Sequence, residues 1–195
     1  VDVPVTVKMR LGWDDNSHTA PQLAKSAEDA GLAMVTVHGR TRCQFYKGHA
    51  NWAAIAPVVE AVNIPVIANG DIVDTATARE ALRLSGAAGV MVGRGAQGRP
   101  WRLAQIDAGL RGAPEPMAPR GADLVELVQA HHAAMVAFYG AELGLKCARK
   151  HLGWYMDDAG TPKALRREVL TADGPRAVER LLPLALAEHS AGMAA

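Results

Sequence analysis

The stretch Ile64–Trp101, IPVIANGDIVDTATAREALRLSGAAGVMVGRGAQGRPW, holds two short apolar runs, Val66-Ile67-Ala68 and Gly89-Val90-Met91-Val92. A polar, glycine-containing turn follows each at once: Asn69-Gly70-Asp71 after the first and Gly93-Arg94-Gly95 after the second. Between them, Asp74–Ser85 sets Ala78, Ala81 and Leu82 at helical spacing. Strand, turn, helix and strand in that order read as a parallel βαβ unit covered on both faces. Ligands of such sheets sit at the carboxyl ends of the strands. In a TIM barrel the loops after the last two strands commonly bind phosphate. Gly93 and Gly95 let backbone N–H groups approach an anion, and Arg94 adds a forked, permanently charged donor. Glycines also end strands for steric reasons alone, so the turn by itself leaves both readings open.

Working outward, Pro4–Arg10 alternates as a strand, with Thr6, Lys8 and Arg10 on one face and Val5, Val7 and Met9 on the other. A helix over about residues 21–30 ends at Gly31, and Met34–His38 forms a second strand before the polar loop Gly39-Arg40-Thr41-Arg42. Residues 52–62 and 100–110 read as further helices. Strand–helix units thus recur at roughly thirty-residue intervals, the size of βαβ construction. Polar groups collect at one end of every strand: Lys8 and Arg10, His38 and Arg40, Asn69 and Asp71, Arg94. That convergence is the TIM-barrel arrangement, and the early GxGxxG turn of a doubly wound sheet is missing. Four units make the C-terminal half of a (β/α)8 barrel.

The Pro- and Gly-rich stretch 113–119 reads as a linker, dividing a half barrel over 1–112 from a small all-α domain over 120–195. In that second part Lys146, Arg149 and Lys150 share one helix face, and Lys163, Arg166 and Arg167 repeat the spacing one helix later. His151, Trp154 and Tyr155 place aromatic groups beside the first cluster. A solvated helix face and a grip on a nucleic-acid backbone both fit this pattern.

The 195 residues, nearly half of them hydrophobic, suit a folded protein, and a net charge of +1 confines any nucleic-acid contact to local patches. Cys43 and Cys147 lie too far apart to suggest a disulfide framework or a zinc site. Each reads as a small buried hydrophobe, in a chain suited to a reducing cytoplasm. No run is long enough to span a membrane, and no signal peptide is visible. The chain opens on Val-Asp-Val-Pro directly before its first strand, as a piece of a longer protein does. A strand-end lysine such as Lys8 needs a charge partner, either a carboxylate of the protein or an anionic ligand. His38 reads equally as a hydrogen-bonded packing residue or as part of a polar site.

The motifs VPVTVKMRLGW (3–13), VTVHGRTR (35–42), PVIANGDI (65–72), VMVGRGAQGRPW (90–101) and ARKHLGWY (148–155) closely resemble the tRNA-dihydrouridine synthases, most of all the bacterial B-type subfamily. The resemblance runs over nearly the whole chain. It implies an FMN-containing TIM barrel followed by a helical tRNA-recognition domain. It also implies hydride transfer from reduced FMN to C6 of a uridine in tRNA, protonation of C5 by a cysteine acid, and NADPH as reductant. Carried over by position, Lys8 would contact the flavin ring and His38 would lie against it. Asn69, Gly70, Asp71, Gly93 and Arg94 would hold the ribityl chain and phosphate. Arg10 and Arg40 would meet the flipped uridine or its phosphate, and Arg149, Lys150 and His151 would grip the tRNA backbone. The family's Asn-x-Gly-Cys-Pro motif with the catalytic cysteine is not among these residues, and Cys43 stands on the wrong loop to replace it. These residues alone are therefore expected to be inactive, and to self-associate through the open barrel edges. Two alternatives remain: another FMN barrel oxidoreductase acting on a small molecule, and a truncated RNA-binding module.

Overall fold

A computed structural model of the chain describes residues 1–187. Its first unit is built on four parallel strands in the order β1 (Thr6–Arg10), β2 (Met34–His38), β3 (Val66–Asn69) and β4 (Gly89–Met91). Helices α1 (Ala20–Asp29), α2 (Ala56–Ala61), α3 (Thr75–Ser85) and α4 (Arg102–Leu110) follow the strands in turn. This is an α/β half barrel of four β/α units. Val35, Val37, Val66 and Ala68 are buried with Ala20, Ala24, Ile55 and Val58, so one sheet face is sealed by helices. The alternate residues Lys8, His38 and Asn69 line the opposite, open face.

Helix α3 shows how firmly local chemistry sets an element. Asp74 accepts from the Thr77 backbone N–H at 2.8 Å while Thr77 Oγ1 accepts from the Asp74 N–H at 3.0 Å, a reciprocal cap. These bonds hold the Asp74 carboxyl below its usual pKa. Gly86, at φ +67°, closes the helix in the left-handed conformation.

The second unit contains α5 (Gly121–Tyr139), α6 (Ala141–Asp158), α7 (Lys163–Thr171) and α8 (Pro175–Ala185). Val128, Leu152, Met156, Val169, Val178 and Leu182 form its buried core. Gly144 allows α5 and α6 to touch, since a Cβ there would stand 2.7 Å from the Val136 Cα. Two boundaries differ from the sequence expectation. Gln97–Trp101, read as part of the barrel, belongs to the helical unit: Trp101 packs on its core, Arg99 is bonded to Asp158, and Gly98 lies against the Trp154 backbone. Residues 113–116, read as linker, belong to the first unit, where Gln105 Nε2 donates to the Pro116 carbonyl at 2.9 Å. Residues 188–195 of the expected helical domain lie outside the described residues.

Candidate cofactor and nucleic-acid sites

Parallel register sets Arg10 beside His38, His38 beside Asn69, and Asn69 beside Met91, so three of the expected site residues share the final rung of the sheet and others follow in the turns just after it. Above it lies a cavity of about 520 Å³ lined by Lys8, His38, Asn69, Gly70, Asp71, Gly93 and Arg94, with Ile72, Val73 and Met91 supplying apolar wall. All seven residues expected to bind the cofactor therefore meet at one place. Asn69 Nδ2 donates to the Met91 carbonyl at 2.8 Å, tying β3 to β4 at the rim.

Arg40 requires a correction. The sequence reading assigned it to the uridine or its phosphate, yet it is only 2% exposed. Its Nη1 and Nη2 donate to the two Asp71 oxygens at 2.9 and 2.6 Å. Nε donates to the Lys47 carbonyl, Nη2 also to the Gly48 carbonyl, and Nη1 also meets His38 Nε2 at 3.2 Å. All five guanidinium N–H groups are thereby committed, and none is left for a substrate. The ionised Asp71 answers the buried charge. Burial works to raise the Asp71 pKa, but the Arg40 and Ala50 hydrogen bonds and the charges of Arg40 and Arg94 outweigh it. Its carboxylate is occupied by Arg40 and the Ala50 N–H, so Asp71 shapes the cavity through these partners.

The His38 contact also settles a proton. Arginine only donates, so Nε2 must accept, and a neutral ring then carries its hydrogen on Nδ1. The pKa agrees, pushed down to about 4 by burial first and then by the charges of Arg10, Lys8 and Arg40, with Asp71 opposing. Gly70, at φ +111°, packs on that ring, where a Cβ would stand 2.7 Å from His38 Cδ2.

Lys8 makes no hydrogen bond or ion pair among the described residues, so none of their carboxylates is its partner. Burial and the nearby Arg10 charge lower its pKa. Arg10 Nη1 donates to the Thr41 and Phe45 carbonyls at 2.8 and 2.7 Å, fastening the loop after β2. Arg94 remains largely exposed and reaches Asp71 at 3.6 Å. Two participants escaped the sequence reading. The Tyr46 ring lies under the guanidinium groups of Arg10 and Arg94, at 5.5 and 5.0 Å, and Trp52 Nε1 donates to the Gly70 carbonyl at 2.8 Å. A loop residue such as Tyr46 gives no periodic signal that would mark it, and the partner of Trp52 lies across the fold. The turn glycines also divide: Gly95 is sterically required, a Cβ standing 2.4 Å from the Ile72 carbonyl oxygen, whereas Gly93 faces open space.

On the helical unit, Arg149 and Lys150 are exposed on α6. Lys150 Nζ lies 5.4 Å from the Trp154 ring centroid, and His151 meets Trp154 and His131 edge-on, each at 5.1 Å. Cys43 is exposed, not buried as expected, and is not among the cavity-lining residues. Cys147 is partly buried. No helix among the described residues is long and apolar enough to cross a membrane.

Four parallel strands with helices, a strand-end cavity lined by Lys8 and Arg94, and a following helical unit with clustered cations define a protein of the α/β-barrel class. Within that class, the chain belongs to the dihydrouridine synthase (Dus) family, whose pattern matches residues 1–189. It is 55% identical to a probable tRNA-dihydrouridine synthase of Rhodobacter capsulatus over 98% of this chain and 58% of that protein. A probable tRNA-dihydrouridine synthase of Rickettsia conorii is 52% identical over 92% of this chain and 54% of its own length. The tRNA-dihydrouridine synthase B of Pseudomonas putida is 45% identical over 80% and 46%. The chain therefore spans about half the length of the curated relatives it matches. Among solved structures, a mandelate oxidase aligns over 95% of this chain and 62% of its own at 19% identity, with a TM-score of 0.33, too slight a likeness to argue from.

Proposed function

We propose that these residues form the cofactor-phosphate side and the RNA-gripping part of a tRNA-dihydrouridine synthase that uses FMN, with NADPH as reductant. The observation that carries the reading is the charge balance at the sheet rim. Asp71 is neutralised by the buried Arg40, which leaves Lys8 and Arg94 as surplus cations in the cavity wall, with Arg10 behind the lining Tyr46. A cavity with surplus cations at its mouth and an Ile72–Val73–Met91 wall fits an amphiphilic, anionic ligand such as FMN. FMN, when bound, supplies the hydride that reduces the C5–C6 bond of uridine.

The chain's own residues bind and orient. Arg94, exposed and anchored only loosely to Asp71, is the phosphate donor. Lys8 supplies a positive charge that stabilises an anionic ring. Neutral His38 offers its Nδ1–H as a donor, held in that tautomer by Arg40. Arg10 fixes the loop that presents Tyr46 and keeps Nε and Nη2 for the uridine or its phosphate. Arg149, Lys150 and His151 contact the tRNA backbone. No thiol lines the cavity to protonate C5, so this chain by itself is expected to form no dihydrouridine. Outer strands β1 and β4 are each paired on one side only, and self-association through them is expected.

The test is a titration of FMN fluorescence with the full chain and with Arg94→Ala. Saturable quenching that weakens at least tenfold in the variant is the expected result, about 1.4 kcal/mol for one charge-assisted phosphate contact. Quenching of equal affinity in both proteins would overturn the phosphate assignment. Binding of an unmodified tRNA transcript separates this reading from a barrel acting on a small molecule, which predicts none.

A further inference from the structure

A second concavity, of about 340 Å³, lies on the helical unit and is lined by Lys163, Arg166, Arg167, Leu170 and Thr171. Its three cations are held differently. Arg166 donates from Nε and Nη2 to the two Asp157 oxygens at 2.7 and 3.2 Å, a forked bridge that fixes the plane of the guanidinium. Three of its five N–H donors remain. That guanidinium lies over α6 at Gly153, where a Cβ would stand 3.0 Å from Nη2. Lys163 and Arg167 are exposed and make no ion pair among the described residues. Glu168, the acidic side chain of α7, lines a different concavity. On α6, Arg149 stands one turn before Gly153, so the row Arg149–Gly153–Asp157 runs into the site.

We infer that this concavity is a further grip on the RNA sugar–phosphate backbone, taking a phosphodiester on Arg166 with Lys163 and Arg167 closing on either side. Asp157 is a positioning residue, and Gly153 clears the space in which Arg166 lies flat. The inference rests on tRNA being the partner. A fixed fork flanked by two free cations suits a repeated, singly charged phosphodiester. Continuity with Arg149 makes the site part of a track. A solvated helix face has no reason to recess a guanidinium into a glycine notch.

The experiment measures binding of an unmodified tRNA transcript to the full chain across a salt series. Lys163→Gln and Arg167→Gln are each expected to reduce the slope of log affinity against log salt by roughly 0.7–1, with several-fold weaker binding at low salt. Both side chains are exposed and unpaired, so the melting temperature should hold. Gly153→Leu, whose larger side chain fills the space beside Arg166 Nη2, is expected to weaken binding several-fold, and Gly153→Ala, which asks Nη2 to shift only slightly, is expected to weaken it less. Unchanged slopes in both charge variants would overturn the grip and leave tRNA as partner. Absence of tRNA binding by the parent chain would overturn both. Saturable stabilisation by inorganic phosphate, lost in the charge variants while the tRNA slope stays unchanged, would assign the concavity to a free anion and also overturn the proposal.

Discussion

The sheet rim and the helical unit use arginine in opposite ways. At the rim, Arg40 is buried and spends every donor on Asp71, His38 and two loop carbonyls. On the helical unit, Arg149 and Arg167 stand in solvent without an acidic partner among the described residues. Both regions carry clustered cations in a chain of nearly balanced charge. The difference teaches that a conspicuous arginine in a strand-end motif can be the brace behind a site, whereas one on a helix face stays available to a ligand. Arg166 lies between the extremes, half committed to Asp157 and half free.

The largest expected effect breaks the rim. Arg40→Met removes one partner of a buried pair and should cost about 3 kcal/mol in denaturant unfolding. That is the low end for such pairs, because Asp71 is 26% exposed and water partly compensates. Arg40→Lys should lose most of the same stability, since an ammonium cannot reproduce a fork and three further bonds. Near-normal stability in either variant would refute the brace.

Lowering the pH probes the same network through His38. Its folded pKa of about 4 lies below the unfolded value near 6.5, so the neutral ring favours the folded state. That stability is fully present above pH 6.5 and is lost as pH falls toward 4. Asp71, whose folded pKa is also lowered, keeps its contribution through that range and loses it only as pH falls below its ordinary value near 3.8. A melting temperature falling steadily from pH 6.5 to 4 is expected, with a shallower slope in His38→Gln.

A smaller effect tests the exposed side of the comparison. Lys150→Gln should change stability by less than about 0.5 kcal/mol, as expected for an exposed side chain. It should still weaken tRNA binding two- to fivefold and reduce the salt slope. If Lys150 proves as costly to fold stability as Arg40, the contrast between the regions collapses.

Much of this molecule was legible from its residues. Alternation in β1, short apolar runs and turn chemistry located all four strands to within about two residues, although the runs read as covered on both faces belong to a sheet with one sealed face and one cavity-lining face. Helical spacing of Ala78, Ala81 and Leu82 placed α3, and the structure added the Asp74–Thr77 cap and the closing Gly86. The convergence of Lys8, His38, Asn69 and Arg94 followed from placing them at the ends of parallel strands. Tyr46 was not legible because a loop residue carries no period, and the role of Trp52, read as the start of a helix, was missed because its partner Gly70 lies across the fold. The Gln97–Trp101 boundary was missed for a related reason. A short segment between two barrel elements reads as their connector until the core it packs against is known.

Local spacing, then, determined the elements, their order and the rim on which the chemistry collects. Only the tertiary structure decided which charges are spent. Whether Arg40 serves a ligand or Asp71 depends on groups 31 residues apart in the chain. Whether Arg166 is free depends on a glycine and an aspartate of the preceding helix. Charge is written residue by residue, but its availability is set by burial and by partners that packing brings within hydrogen-bonding distance.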